Sequence, residues 1–423
     1  MFFSNTTRPP QRTGFVFAKC YTTPMSFFSQ TPQNKAPIGV LDITGGSIGA
    51  SVLVYSEGQG TLLPRHSVSV RYDFPLDMPQ AEAPHIPAEA LTNALNKLTL
   101  GSPNIKHLRV FFAPPHGASH LYVCERAFDK DTLIVKELIH ELMDEAFASF
   151  KKDEPDYVSF PLLFTVEWIH VNGYSVDTPV GTQARSISLA MSVSAARGLA
   201  EALAPAVSKL FSSRTELEYY ASGAALSRGI LHAYPAGPKN FLTVAIGDAS
   251  STISTIWHGF LIAEDTVALG KRSVMERIVR ALNVPPLPAL LFLRDPSTAP
   301  PQLAAMLPAV TAPIVNEWSR EFNAAAQAIL KSRFVPETLY LVSDEPALLA
   351  LGVDSLNDPT LMGFTFSDVL RTITMQSPTR ESVQTLREGG AYEDSRLMLF
   401  AHFCASIDEV RHGEPFLASN THL

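Results

Sequence analysis

Two short segments of small residues are the parts of this sequence best suited to holding a phosphate group. The first is Thr44-Gly45-Gly46-Ser47, just after Asp42, and the second is Gly247-Asp248-Ala249-Ser250-Ser251. A hairpin turn of small residues can present consecutive backbone N–H groups to a phosphate without a lysine. An aspartate at the end of the preceding strand can hold a metal ion or its waters. We therefore predict Asp42 and Asp248 as candidate catalytic residues, with Asp42 as a metal ligand.

Two further segments, both in the second half of the chain, are candidate cofactor-binding segments. Gly270-Lys271 follows the third strand predicted in the second half, where the lysine could approach a γ-phosphate; such a pair also begins many solvated helices. Ser343-Asp344-Glu345 follows a buried strand predicted at Thr338 to Val342.

The segments are positioned by two similar groups of strands. Around the first segment, apolar runs predict a β-β-β-α-β order with strands at Ile38 to Ile43, Ile48 to Tyr55, Ser67 to Tyr72 and His107 to Ala113, and a helix at Pro87 to Leu98. Around the second, strands are predicted at Phe241 to Ile246, Thr252 to Trp257 and Phe260 to Ala263. The repeated strand–turn–strand unit predicts an internal duplication, with two hairpins facing each other across a cleft.

Further helices and strands are predicted outside the repeated strand–turn–strand units. A long helix is predicted from a cap at Asp131-Thr132 to about Lys151, with Leu133, Leu138, Leu142 and Phe147 on one stripe. Strands are predicted at Leu163 to Val171 and Ser186 to Val193, and helices at Ala196 to Leu210 (broken at Pro205), Glu216 to Leu226, Ser273 to Leu282, Ile314 to Lys331 and Asp394 to Ile407. A proline-rich region, Pro285 to Pro313, separates two of these helices.

Four stretches resemble, in the correct order, motifs of the actin-like ATPase superfamily, and within it the FtsA and PilM branch. The stretch LDITGGSIGASVLV is similar to the first phosphate loop, TVAIGDASSTISTIWHG to the second, and ETLYLVSDEP to the loop that packs on adenosine. In the domain inserted between them, VNGYSVDTPVGTQARSISLAMSVSAA is similar to a segment of FtsA. The resemblance extends from about Ile38 to Ile407 and implies ATP and Mg²⁺ as cofactors of a functional site.

The sequence departs from this family at two places. The aspartate of the second phosphate loop is replaced by Ala245, with Asp248 three residues later, and the two glycines of the adenosine loop are replaced by Asp344 and Glu345. Glycines let the backbone approach a nucleotide closely, and a misplaced like charge costs several kcal/mol at low effective dielectric. We therefore expect nucleotide binding to be weakened or lost, unless a metal ion recruits Asp42 and Asp248 together.

The predicted fold class is α/β, a duplicated actin-like (ribonuclease-H-like) two-lobed fold with an inserted strand-helix-strand-strand domain. The predicted division is a disordered tail (1–37), the first lobe (38–113 and 201–240), the inserted domain (114–200), the second lobe (241–375), a C-terminal helix returning to the first lobe (376–410) and a tail (411–423).

Composition limits the kind of protein. Lys and Arg total 33 against 41 Asp and Glu, a net charge of −8, so we expect no nucleic-acid partner. The chain is 46% apolar and 17% charged, against about 25% charged in a typical soluble domain, which excludes disorder for most of it. Three distant cysteines form no disulfide or zinc pattern, and no apolar run of about 18 residues predicts a spanning helix. These features predict a cytoplasmic protein, with peripheral contact at the inner face of the membrane as an alternative.

Three functions remain open from the sequence. The first is a cytoplasmic actin-like scaffold that docks on an inner-membrane partner in type IV pilus or secretion assembly, with a weak or lost nucleotide site. For PilM-like proteins the resemblance implies an N-terminal peptide of a PilN-type membrane protein as partner, and for FtsA-like proteins a filament-forming cell-division protein, with self-association. The second is a working FtsA-like ATPase in cell division, and the third is a sugar or carboxylate kinase of the same fold.

Overall fold

The structure is a computed structural model that describes residues 36–56, 62–72, 86–101, 104–113, 116–153, 161–196, 199–211, 215–330, 336, 338–343, 345, 347–348, 351–352, 371–372 and 395–413. Apart from residues 36 and 37, the predicted N-terminal tail lies outside these ranges. The described strands and helices are, in chain order, β1 (Ile38–Thr44), β2 (Ser47–Tyr55), β3 (Leu62–Arg71), α1 (Ala88–Gly101), β4 (His107–Phe112), β5 (Gly117–Leu133), α2 (Lys136–Asp153), β6 (Pro161–Val171), β7 (Tyr174–Ser175), β8 (Gln183–Ala196), α3 (Leu199–Leu210), β9 (Glu216–Ala221), α4 (Ser222–Ala233), β10 (Phe241–Ile246), β11 (Ser251–Trp257), β12 (Phe260–Val267), α5 (Lys271–Leu282), α6 (Pro286–Arg294), α7 (Pro301–Leu330), β13 (Leu339–Ser343), β14 (Arg371–Thr372) and α8 (Ser395–Gly413).

Two five-stranded sheets share one topology. The first has the order β3-β2-β1-β4-β9 and the second β12-β11-β10-β13-β14. In each, two antiparallel hairpins are followed by strands that run parallel to the first strand. The central strands read as continuous apolar runs because both faces are covered, as the fully buried pattern of β10 illustrates. The predicted duplication, and with it the two-lobed α/β fold class, is confirmed.

The two sheets are joined by a shared apolar core. One buried cluster combines Val40 and Phe111 of the first sheet with Phe241 and Tyr340 of the second, and α4 and α8 contribute to it. Phe111 stacks on Phe400 of α8, with ring centroids 4.0 Å apart. Separate clusters fill the first lobe, under α1 and α3, and the second lobe, under α5 and α7. The position of α8 in the shared core matters below, because α8 also reaches the hairpins.

The third sheet, of order β5-β8-β6-β7, is formed by the part of the chain that lies between β4 and β9 of the first sheet. Its order along the chain is a strand, a helix and then strands, and its core holds Leu142, Ala146 and Phe150 of α2 against Ile187 and Leu189 of β8. None of the helices in the described ranges combines the length and the apolar character that a membrane-spanning helix requires.

The structure corrects two predicted helix starts. Helix α2 begins at Lys136 rather than at Asp131-Thr132, because β5 continues to Leu133, which pairs with Gln183 of β8. Leu133 is 51% exposed and does not belong to the buried stripe. Residues 216–221, predicted as the start of a helix, form β9, which pairs along its whole length with β4. In both places strand pairing, a long-range interaction, overrides local helix propensity.

The prolines act differently from the prediction. Pro205 lies inside a continuous α3, whose turns are held by buried Leu203 and Val207. The proline-rich region is largely helical: Pro286 and Pro301 occupy the first positions of α6 and α7, where a missing N–H costs nothing. Helix α7 therefore begins 13 residues before the predicted Ile314, and Pro308 and Pro313 lie inside it.

Candidate functional site

The ends of the two hairpins line one cavity of about 200 Å³, so the structure brings the two predicted phosphate segments together. The lining includes Asp42, Thr44 and Ser47 from the first sheet, Gly247 and Asp248 from the second, and Arg396, Leu397 and Phe400 from α8. Small-molecule sites usually measure about 300–1,000 Å³. The space between the hairpins is therefore small for a nucleotide.

The first turn is a tight two-residue hairpin. Thr44 pairs with Ser47, so Gly45 and Gly46 form the turn, and Gly46 has a φ of 91°, which favours glycine. The hydroxyl oxygens of Thr44 and Ser47 lie 2.8 Å apart and share a hydrogen bond. The carbonyl of Gly46 accepts a hydrogen bond from the N–H of Tyr72 at 3.0 Å. The turn is thus held by its own side chains and by the end of β3.

Asp42 is held by an arginine from the far end of the chain. Arg396 donates from Nε to Oδ2 of Asp42 at 3.0 Å and from Nη2 to Oδ1 at 2.9 Å. The side chains are only 4% and 16% exposed, respectively. Two parallel bonds of this kind form the strong, bidentate type of arginine–carboxylate pair. A metal ion at Asp42 would have to displace this guanidinium.

Asp248 has an arginine partner of its own. Arg272 donates from Nη2 and Nε to Oδ2 of Asp248, at 2.8 and 3.2 Å, and from Nη2 to the carbonyl of Tyr72 at 3.2 Å. A Cβ added to Gly46 would lie 1.8 Å from Nη2 of Arg272 and 2.6 Å from Oδ2 of Asp248. The pair therefore fits directly against the first turn. It lies where a phosphate clamped between the turns would have to bind, and it links the two lobes.

The backbone groups of the second turn largely form hydrogen bonds within the protein. The N–H of Gly247 donates to the carbonyl of Ser250, and the N–H groups of Lys271 and Arg272 donate to the carbonyls of Gly247 and Asp248. Gly270 packs tightly here, since a Cβ on it would lie 2.5 Å from the carbonyl oxygen of Asp248. Helices often offer their first N–H groups to anions. In α5 these N–H groups instead donate hydrogen bonds to the carbonyls of the second turn. In a separate bond, the Ser251 hydroxyl donates to the carbonyl of Leu269 at 2.5 Å.

Ser343 and Glu345, the described residues of the predicted Ser343-Asp344-Glu345 segment, do not line the cavity. The Ser343 hydroxyl accepts a hydrogen bond from the N–H of Glu345 at 3.0 Å. The Glu345 carboxylate accepts from Nε and Nη2 of Arg294 at 2.8 and 3.1 Å, so its charge is compensated. Asp344 lies outside the described residues. Ala245 is 5% exposed in the core shared by the two lobes, so an aspartate there would enter apolar surroundings.

Sequence reasoning missed a buried pair behind the first turn. The Tyr72 hydroxyl donates to the carbonyl of Thr44 at 2.7 Å and lies 2.6 Å from Nε2 of His116. His116 is 3% exposed, and burial lowers its pKa to about 4. Burial also raises the pKa of Tyr72. No local motif marks His116, because its role depends on Tyr72, 44 residues earlier.

Acid should destabilise the protein through His116. Its pKa is about 4 when folded against about 6.5 when unfolded, so the unfolded chain gains a proton first as the pH falls. The contribution is fully present above pH 6.5, and about 3 kcal/mol is lost by pH 4. Urea unfolding of His116→Gln at pH 7 and pH 4.5 should therefore show a smaller acid-induced loss than the wild type. His140→Gln, at an exposed position of α2, is the matched control; an equal loss in both variants would contradict the assignment.

No protein-family model matches the sequence, and no curated protein matches it. Among solved structures, the chain is similar to one described as a PilM-PilN type IV pilus biogenesis complex, at 13% identity and a TM-score of 0.53, covering 90% of this chain and 99% of the other. It also matches the ethanolamine utilization protein EutJ from Carboxydothermus hydrogenoformans (12% identity, TM-score 0.41, 79% and 85% coverage). A third match is the cytoplasmic domain of EpsL, an inner membrane component of the type II secretion system of Vibrio cholerae (10%, 0.35, 73% and 83%). At 13% identity the similarity to the PilM-PilN structure concerns the fold alone, and it agrees with the resemblance predicted from the motifs.

Proposed function

We propose that this chain, which has the duplicated two-lobed fold of the actin-like ATPases, is a scaffold whose nucleotide site is closed by its own ion pairs. The observation that carries the proposal is the Arg272–Asp248 pair against Gly46. Together with Arg396 on Asp42, it leaves both candidate metal ligands paired with guanidinium groups. Mg²⁺ is usually bound through carboxylates and substrate phosphates. Here the ion and a phosphate would each have to compete with the hydrogen bonds that the two arginines already make to Asp42 and Asp248.

The scaffold would act by docking on a membrane protein. The fold similarity to PilM in the PilM-PilN complex supports a partner of PilN type. Binding of that partner's N-terminal peptide at the inner face of the membrane is the docking mode that we propose. Pilus or secretion assembly is the setting that we propose. The partner test is co-purification from detergent-solubilised membranes of the native cells, followed by titration of the chain with the synthetic N-terminal peptide of the recovered protein. A recovered protein whose peptide does not bind would count against this docking mode.

Calorimetric titration with Mg-ATP tests the closed site. We expect no binding in the micromolar range for the wild type, because both carboxylates are paired and the cavity is small. The double variant Arg272→Ser/Asp248→Gly removes the pair without leaving an unpaired charge, so it should gain affinity for ATP. Arg320→Ser, on an exposed part of α7, is the control and should change nothing.

A working ATPase is the alternative that this titration addresses. The observation in its favour is that both turns line the same cavity. Micromolar binding by the wild type would support it and would show that the arginines exchange their carboxylates for phosphate oxygens. Absence of any gain in the double variant would show that the ion pair is not what closes the site.

A further inference from the structure

Three metal-binding side chains meet at the opposite end of the first sheet from the hairpin turn. In the parallel pairing of β4 and β9, His107 lies beside Glu216, and Glu218, two residues along β9, lies on the same face as Glu216. One ligand atom from each of the three lies within 4.8 Å of the others. This cluster does not overlap the lining of the cavity described above.

The two distances from His107 to the glutamates are close to those between ligands of one metal ion. Nδ1 of His107 lies 3.3 Å from Oε2 of Glu216 and 3.5 Å from Oε1 of Glu218. Ligand atoms about 2.0–2.2 Å from a tetrahedral zinc ion are separated by about 3.3–3.6 Å. Yet Nδ1 itself is buried and has no hydrogen-bond partner among the described residues, although two carboxylates face it. Buried polar atoms are normally satisfied, and the neighbours of this nitrogen are two carboxylates at ion-pair distance rather than in hydrogen-bond geometry.

The Glu218 carboxylate is already oriented for such a role. Its Oε2 accepts from Nε of Arg109 and from the hydroxyl of Tyr220, both at 2.9 Å, and Oε1 faces His107. Outer hydrogen bonds of this kind commonly fix metal ligands. Glu216 is 68% exposed at its side chain, so it can adjust to an ion. The charge of Arg109 near the cluster is shared with Asp408, which limits its repulsion of a cation.

We propose that His107, Glu216 and Glu218 bind a zinc-type divalent cation in a tetrahedral site completed by water. One imidazole and two carboxylates form a ligand set that suits Zn²⁺, and the two carboxylates balance its charge. The ion would join the starts of β4 and β9 beside the buried Arg109 cluster. The proposal does not depend on the nucleotide cleft or on a docking partner.

The test is titration of the full chain, after chelator treatment, with Zn²⁺ against a chromophoric indicator, and with Co²⁺ to read the coordination geometry. One equivalent should bind, with the visible absorption of tetrahedral cobalt. His107→Ala and Glu216→Gln should each weaken binding by more than about 100-fold, since loss of an outer partner alone costs about 10–100-fold. Both variants change partly exposed residues, and circular dichroism checks that they fold.

His140→Ala, at an exposed position of α2, is the control and should bind the ion as the wild type does. Wild-type binding that neither variant at the cluster weakens would place the ion elsewhere and overturn the proposal. So would the absence of stoichiometric Zn²⁺ binding by the folded wild type, which would leave the cluster as a histidine–carboxylate ion pair.

Discussion

Replacing Arg109 with methionine should lower the free energy of unfolding by about 3–5 kcal/mol, the usual cost of removing one partner of a buried ion pair. Arg109 is fully buried and donates to Glu218 at 2.9 Å, to Asp408 at 2.6 Å and to the carbonyl of Cys404 at 3.0 Å. The Glu218 and Asp408 side chains are 8% and 18% exposed, so both would keep a largely desolvated charge. Urea or thermal unfolding measures the loss.

The loss of stability should be specific to the buried arginine, Arg109. Arg126 also pairs with two glutamates, Glu141 and Glu145, but on the surface of the region formed by the third sheet. Surface pairs contribute about 0–1 kcal/mol, so Arg126→Met should change stability little. Because Asp408 and Cys404 lie on α8, hydrogen exchange should also show α8 opening more often in the Arg109 variant. Equal losses in the two variants would refute the role given to Arg109.

Replacing Arg396 with leucine should cost about 3 kcal/mol or more, since it leaves Asp42 charged and without its bidentate partner. Asp42 is 16% exposed and lies on a central strand, so water cannot fully replace the guanidinium. The double variant Arg396→Leu/Asp42→Asn removes both charges and should recover much of the loss, because replacing both members of a buried pair is often nearly neutral. Urea unfolding of the two single variants and the double variant gives the coupling energy.

The comparison of the two single variants with the double variant also tests what holds α8 at the cleft between the hairpins. A double variant as unstable as Arg396→Leu alone would mean that the arginine acts through packing, for example against Phe400, whose ring centroid lies 5.9 Å from its guanidinium carbon. Recovery in the double variant would mean that charge pairing holds α8 over the hairpin. In that case any ligand that needs Asp42 must first compete with α8.

Local patterns were enough for the hairpins and for the duplication. Strand β1, its glycine turn and β2 are adjacent in sequence, and β10 and β11 repeat the unit, so short-range apolar periodicity and turn chemistry predicted them. The same reasoning failed at β9, at the end of β5 and in the proline-rich region. At β9 and at the end of β5 the deciding interactions join residues far apart, as between Glu216 and His107 in β9 and β4.

Local sequence patterns predict two hairpins of small residues, each with an aspartate beside or within its turn, in a duplicated fold. The partners of those aspartates depend on how the chain folds. The partner of Asp42 is 354 residues away on α8, and that of Asp248 lies 24 residues later at the start of α5. The His116–Tyr72 contact and the cluster of His107 with Glu216 and Glu218 likewise depend on strands that meet only after folding. The reason is physical: propensity and periodicity act over a few residues, whereas the fate of a buried charge depends on which group the folded chain brings within about 3 Å of it.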